Sequence, residues 1–293
     1  MSLPPGTRLN ASAGLASSSV AGLLVLLKLW ALSETNALSV AASLADSAMD
    51  FMVSLAAFLA ILYAARPPDE DHAFGHSSAE DLAALGQAVF VSLSGVVIGW
   101  AAVARLLAPT PAPLQQEGRG MLVMALSILL TGALVLWQRR VLRQTGSRVV
   151  EADSLHYRGD LIFNLGALLS LWAAAALGLA QIDSVVALGA AAILILGALR
   201  VGRGAWDALM DRAADPAISA EIARIAAGWP GVRGFHDIKT RTAGSKLFVQ
   251  IHIELDGDQP LSEAHAIGAA LRRAILEAYP GSDVIIHKDV YRP

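Results

Sequence analysis

Asp46 with Asp50, and His156 with Asp160, are pairs of metal-capable side chains set four residues apart inside stretches otherwise rich in Ala, Leu, Val, Ile and Ser. On a helix that spacing stacks both members of a pair on one face, a turn apart. An ionisable group at the centre of a spanning helix costs roughly 2.5–3.5 kcal/mol even on lenient insertion scales, so placing four there implies a cation, a proton path or a wet cavity. Two such helices face to face offer oxygen and nitrogen ligands to a single ion. Carboxylates with one imidazole suit a tetrahedral Zn²⁺ site, and the oxygen-rich set also accepts Fe²⁺, Mn²⁺ or Cd²⁺. Ligands bind deprotonated, so metal and protons compete for the same atoms. Imidazole, titrating near pH 6.5 as a class, makes that competition usable in a cell.

Each pair belongs to a longer polar stripe. Ser43, Asp46, Ser47, Asp50 and Ser54 recur at steps of three and four, as do Asp153, His156, Asp160 and Asn164. Such a stripe must face protein or water, because lipid offers its polar atoms no partners. For the serines alone, hydrogen bonding between helices is a sufficient reading; for the aspartates and the histidine it is not.

The elements that carry these stripes follow from composition. Of 293 residues, 55% are hydrophobic and 16% charged, the mean hydropathy is +0.54, and the apolar residues fall in long runs, which reads as a membrane protein with a soluble remainder. Runs of spanning length extend from Ala13 to Leu32, Ala37 to Ala65, Leu82 to Leu107, Met121 to Trp137, Asp153 to Ala180 and Val185 to Leu199. Six crossings return both termini to one side. Arg8, Arg66, Arg139, Arg140, Arg143, Arg148, Arg200, Arg203 and Arg212 share that side, whereas Ser33 to Asn36, Ala108 to Gly118 and Gln181 to Asp183 have no lysine or arginine, so both termini are expected in the cytoplasm. The first run, with small residues before it and no cleavage site after it, reads as a retained helix.

A net charge of −3 without a basic stripe gives no reason to expect a nucleic-acid partner. The absence of cysteine removes disulfides and thiolate sites. The transmembrane domain is expected over 1–210 and a small soluble domain over 211–293, to which the family resemblance described below assigns cytoplasmic metal binding and dimerisation. In the latter, Pro216 to Trp229 and Pro260 to Tyr279 read as helices, and Phe235 to Arg241, Lys246 to Leu255 and Asp283 to His287 as strands, with a hairpin turn at Gly244-Ser245. The order α-β-β-α-β is an open α+β sandwich. Asp69, His72 and His76, after the helix-ending Arg66-Pro67-Pro68, are spaced like a small chelate. His236, His252 and His287 fall on strands and His265 on a helix.

Ala45-Asp46-Ser47-Ala48-Met49-Asp50, Asp71-His72-Ala73-Phe74-Gly75-His76 and Leu155-His156-Tyr157-Arg158-Gly159-Asp160 resemble the cation diffusion facilitator family, in its bacterial zinc and iron efflux branch. The tail motifs Trp229-Pro230-Gly231-Val232 and Tyr279-Pro280-Gly281-Ser282-Asp283-Val284-Ile285-Ile286-His287 are similar to that branch too. The resemblance implies a homodimeric metal/proton antiporter of the bacterial inner membrane, with a six-helix bundle in lipid and a metallochaperone-like cytoplasmic domain. It also implies a transport site of Asp46, Asp50, His156 and Asp160, a loop site of Asp69, His72 and His76, and a binuclear tail site of His236, His252, His265, His287 and Asp289. Two positions depart from the branch. Ser78 stands where it carries a lysine facing an acid such as Asp211, and Lys288 stands where it carries glutamine, a cation expected to disturb a neighbouring metal pair.

The leading expectation is export of Zn²⁺, or of Fe²⁺, Cd²⁺ or Mn²⁺, against protons. A membrane-embedded metalloenzyme would use the same quartet to activate water, but no HExxH motif or further glutamate in the helices supports it. A metal sensor that signals through its tail without flux is the other alternative.

Overall fold

The computed structural model describes the backbone of residues 5–35, 38–107, 118–177 and 182–292; within these, the side chains of 31–35, 38–43, 45–46, 118–124, 163, 167–177 and 182–183 are not described. The loops expected around 33–36, 108–118 and 181–183 fall mostly outside the described residues, as does the side chain of Asp46.

Six long helices come first: α1 (Pro5–Thr35), α2 (Leu38–Ala64), α3 (Ser78–Leu106), α4 (Gly118–Thr145), α5 (Arg148–Leu177) and α6 (Ile182–Leu209). Among the described residues, five of them are long and apolar enough to cross a bilayer. The exception, α5, carries Arg148, Glu151, Asp153, His156, Arg158 and Asp160 in its first half. Several helices extend beyond the apolar runs: α1 begins eight residues before Ala13, and α6 continues past Leu199 to Leu209. Hydropathy marks the part of a helix that lipid touches, whereas the hydrogen-bond ladder continues into polar surroundings until a cap or breaker stops it.

Packing in this unit relies on small residues. A Cβ added at Gly159 on α5 would lie 2.6 Å from Leu194 of α6, and one at Gly197 on α6 would lie 2.8 Å from Leu155 of α5. Each glycine is thus the socket for a leucine of the other helix, the close approach that drives association where lipid removes any hydrophobic gain.

The chain divides into compact units at Met1–Trp206 and Asp207–Pro293. In the second, α7 (Pro216–Ala227), β1 (Gly234–Ala243), β2 (Lys246–Leu255), α8 (Leu261–Ala278) and β3 (Asp283–Val290) follow in order. Asp215 caps α7 by accepting the Ala217 amide at 2.8 Å, with Pro216 in the first turn, as the proline-opened pattern requires. β1 and β2 form an antiparallel hairpin turning at Gly244 (φ 55), and β3 adds to β2 in parallel after the α8 crossover. Val249, Ile251, Ile253 and Leu255 of β2 are buried in one core with Ile222, Leu271 and Ile275. By the period of two, Gln250, His252 and Glu254 occupy the other face. β1 carries an irregularity between His236 and Lys239, where Asp237 has φ 50.

Candidate metal centres

Asp50 on α2 meets His156 on α5, with His156 Nε2 2.9 Å from Asp50 Oδ1 and 3.8 Å from Asp160 Oδ2. Ligating atoms of all three lie within 4.8 Å of one another. At metal–ligand distances of about 2.0–2.2 Å the edge of a tetrahedron is about 3.3–3.6 Å, so the two separations bracket what a small dication needs. The His156 ring, largely buried, packs edge-on to Phe90 (centroids 6.0 Å). One residue after Asp46, the buried Ser47 accepts a hydrogen bond from Lys28 Nζ of α1 at 2.6 Å.

The loop between α2 and α3 gathers a second trio. Asp69 Oδ1 lies 3.2 Å from His72 Nδ1 and Oδ2 lies 3.2 Å from His76 Nε2. The loop folds back because Asp69 also accepts the His72 amide at 2.7 Å and Gly75 takes φ +88, a conformation open to glycine. The His72 amide is the main cause that holds the Asp69 carboxyl below its ordinary range, with the imidazoles adding to it. His76 is buried against the Tyr63 ring at 4.7 Å, while Asp69 and His72 are exposed.

In the second unit, the strand register sets His236, His252 and His287 side by side across the sheet. Asp289 joins them: its Oδ2 is 2.8 Å from His252 Nδ1 and 3.4 Å from His236 Nε2, and its Oδ1 is 3.3 Å from His287 Nε2. The hydrogen bond from His252 is the largest cause holding the Asp289 carboxyl low. The Glu254 carboxylate lies 3.2 Å from His236 Nδ1, the type of outer contact that orients an imidazole for binding. Gly234 leaves room for it, since a Cβ there would lie 2.4 Å from the Glu254 carboxylate oxygen.

The cation efflux transmembrane domain model matches residues 14–210 and the cation efflux cytoplasmic domain model matches 214–291. A protein described as the cation-efflux pump FieF of Klebsiella pneumoniae subsp. pneumoniae is 40% identical over 96% of this chain and 93% of its own length. One of the same description from Cronobacter sakazakii is 41% identical over the same shares. The chain belongs to the cation efflux, or cation diffusion facilitator, family. It is accordingly an integral membrane transporter of divalent cations, not an enzyme. A solved structure described as MamM-CTD 215-293 overlays 26% of the chain and 96% of its own length, with TM-score 0.25 and 22% identity.

Of the residues that the family resemblance implies, the structure brings together Asp50, His156 and Asp160; Asp69, His72 and His76; and His236, His252, His287 and Asp289. The side chain of Asp46 lies outside the described residues. His265 stands exposed on α8 and is not part of the histidine group. Lys288 differs from the expectation of a cation beside the metal pair. It points to the α8 face, where its Cε sits 2.5 Å from where a Cβ on Gly268 would be, while its neighbours His287 and Asp289 occupy the opposite face. Asp211, in turn, pairs with Arg241 at 3.2 Å. Sequence reasoning missed Glu254, although it lies two residues after His252 and so shares its face. It also missed Lys28 and Gln138, each of which interrupts or borders an apolar run.

Proposed function

We propose that the chain is a Zn²⁺/H⁺ antiporter that exports Zn²⁺, and with lower preference Fe²⁺, Cd²⁺ or Mn²⁺, from the cytoplasm across a bacterial inner membrane. The observation that carries this reading is the convergence of Asp50, His156 and Asp160 on one small volume between spanning helices. Asp46, a turn before Asp50 on the same face, supplies the fourth ligand. Mixed carboxylate–imidazole donors favour Zn²⁺ as the cargo. When the site faces the acidic side, protons compete for its ligands and release the metal; when it faces the cytoplasm, metal displaces the protons. Inward proton movement then drives outward metal movement, provided the site opens to one side at a time.

Charge distribution supports cytoplasmic termini: the arginines cluster at one end of the helices, with Arg105 and Arg119 as exceptions at the other. Homodimerisation is supported by the histidine-bearing face of the second unit, where the imidazole row and Asp289 are available for metal that links two copies. In this reading His265 joins that site from outside the compact group.

Proteoliposomes with an acidic lumen and neutral exterior should accumulate Zn²⁺ through inside-out molecules, and the luminal pH should rise as they do. Asp50→Ala should abolish both signals. Transport by that variant at the normal rate would overturn the site assignment, and zinc uptake indifferent to the pH gradient would overturn antiport.

A further inference from the structure

One helical turn from the candidate transport ligands lies a second polar centre. Asp153 of α5 is almost fully buried, and its carboxylate accepts from four elements' neutral side chains directly or through one intermediary. Oδ1 accepts from Ser54 Oγ of α2 at 3.1 Å and from Gln87 Nε2 of α3 at 3.5 Å; Oδ2 accepts from Gln138 Nε2 of α4 at 2.8 Å. Gln138 Nε2 also donates to Ser17 Oγ of α1 at 3.0 Å. Tyr157, a turn further along α5, places its hydroxyl 2.8 Å from Ser54 Oγ and donates to the Ser17 carbonyl at 3.3 Å. Five helices therefore meet on one carboxylate. Bundle stability does not require such a centre, because a buried polar network is often matched or exceeded by apolar packing of the same volume. What the network adds is fixed geometry.

That geometry bears on the metal. Along α2 the residues Asp50 and Ser54 are one turn apart; along α5, running the other way, His156 and Asp153 are one turn apart. Asp50–His156 at 2.9 Å and Ser54–Asp153 at 3.1 Å are consecutive rungs of one ladder between these two helices. Sliding or turning α5 to widen the first rung must stretch the second, whose carboxylate is also held by α3 and α4. We infer that Asp153 is a positioning residue which, through Ser54 and Gln138, fixes the spacing of His156 and Asp50 and thereby makes the site prefer a small dication to a larger one. This rests on the transport-site reading above.

The test uses the full-length chain in proteoliposomes, with Zn²⁺ and the larger Cd²⁺ as separate cargoes, and melting of the detergent-solubilised protein as a check on folding. Loosening an outer contact of a metal site typically weakens binding by roughly 10- to 100-fold. Asp153→Asn should raise KM for Zn²⁺ at least about tenfold while KM for Cd²⁺ changes by under about threefold, with kcat little altered. Ser54→Ala, which removes one small hydroxyl and decides the matter if Asp153→Asn does not fold, should shift the ratio in the same direction. Ser54→Thr should restore it. Equal KM changes for both ions, or a loss of folded protein with both KM values unchanged, would reduce Asp153 to a structural role and overturn the inference. Asp50→Ala separates the two levels: if it transports normally, the site reading itself fails; if it is inactive while Asp153→Asn and Ser54→Ala keep the parental ion preference, only the positioning role fails.

Discussion

Asp289 and Glu254 divide the work of the histidine-bearing sheet between a ligand and a guide. Asp289 touches all three imidazoles of the row, whereas Glu254 touches only His236. Glu254→Ala should weaken metal binding at this face by roughly tenfold without abolishing it, as measured by titrating the full chain with Zn²⁺ in a calorimeter; unchanged affinity would show that His236 needs no such guide. The pH response has a defined sign. Asp289 is held below its ordinary carboxylate range, chiefly by the hydrogen bond from His252, so it is ionised at neutral pH. Protons compete with metal for the donor atoms, so zinc affinity at this face should decline as the solution is acidified. Asp289→Asn, which removes the carboxylate shared by the three imidazoles, should lower zinc affinity in the same titration, and unchanged affinity would exclude Asp289 as a ligand. For folding itself, the lowered carboxyls of Asp69 and Asp289 favour the native state above their unfolded values, and this benefit is lost as pH falls through the lowered folded values.

Helix contacts show which parts of the architecture the residues spelled out in advance. The pairing of Asp50 with His156 was readable because both lie on polar stripes with helical spacing, and a stripe in lipid must find protein. The Asp153 centre was only half readable. Its stripe pointed to α2, but Gln87, Gln138 and Ser17 are single polar residues on three other helices, and nothing in local spacing says that distant helices turn them toward one point. Helix ends were displaced for the related reason that apolar runs report lipid contact and not hydrogen bonding. The tail was read more closely, since an opening proline and β-branched and aromatic residues mark α7, β1, β2 and β3 locally. Asp215→Ala should destabilise α7 by about 1 kcal/mol, seen as about fivefold faster amide exchange in its first turns if those turns open locally. Between α5 and α6, Gly159→Leu drives a side chain into Leu194, 2.6 Å from the new Cβ. Overpacking of this kind costs about 1–3 kcal/mol, and Leu194→Ala in the same chain should recover part of the lost melting temperature; no recovery would place the damage elsewhere.

Across the molecule, the candidate metal-binding groups lie in chemically different surroundings: a loop, a polar seam between long helices, and a sheet face in a separate compact unit. A ligand that binds only the folded form raises stability by RT ln(1 + [L]/Kd), about 2.7 kcal/mol at a hundredfold excess over Kd. Zinc should therefore raise the unfolding temperature of the second unit, and His252→Ala should remove most of that rise while leaving the metal-free melting nearly unchanged. A rise that persists in His252→Ala would assign it to another site. If both proposals hold, cargo specificity and zinc-dependent stability are separable in such variants, one set between α2 and α5 and the other on the sheet.

The irregular step in β1 governs more than its own backbone. Counting back from Lys239, which is opposite Gln250, an unbroken ladder would put His236 across from Ile253 and send its ring among the aliphatic side chains. The additional residue absorbs half a pleat and returns the ring to the company of His252. Asp237 therefore acts as a phase corrector, and its left-handed backbone is what makes the correction affordable. Valine at that position, which tolerates such a backbone poorly, would leave every donor atom of the sheet chemically intact while turning one of them out of reach.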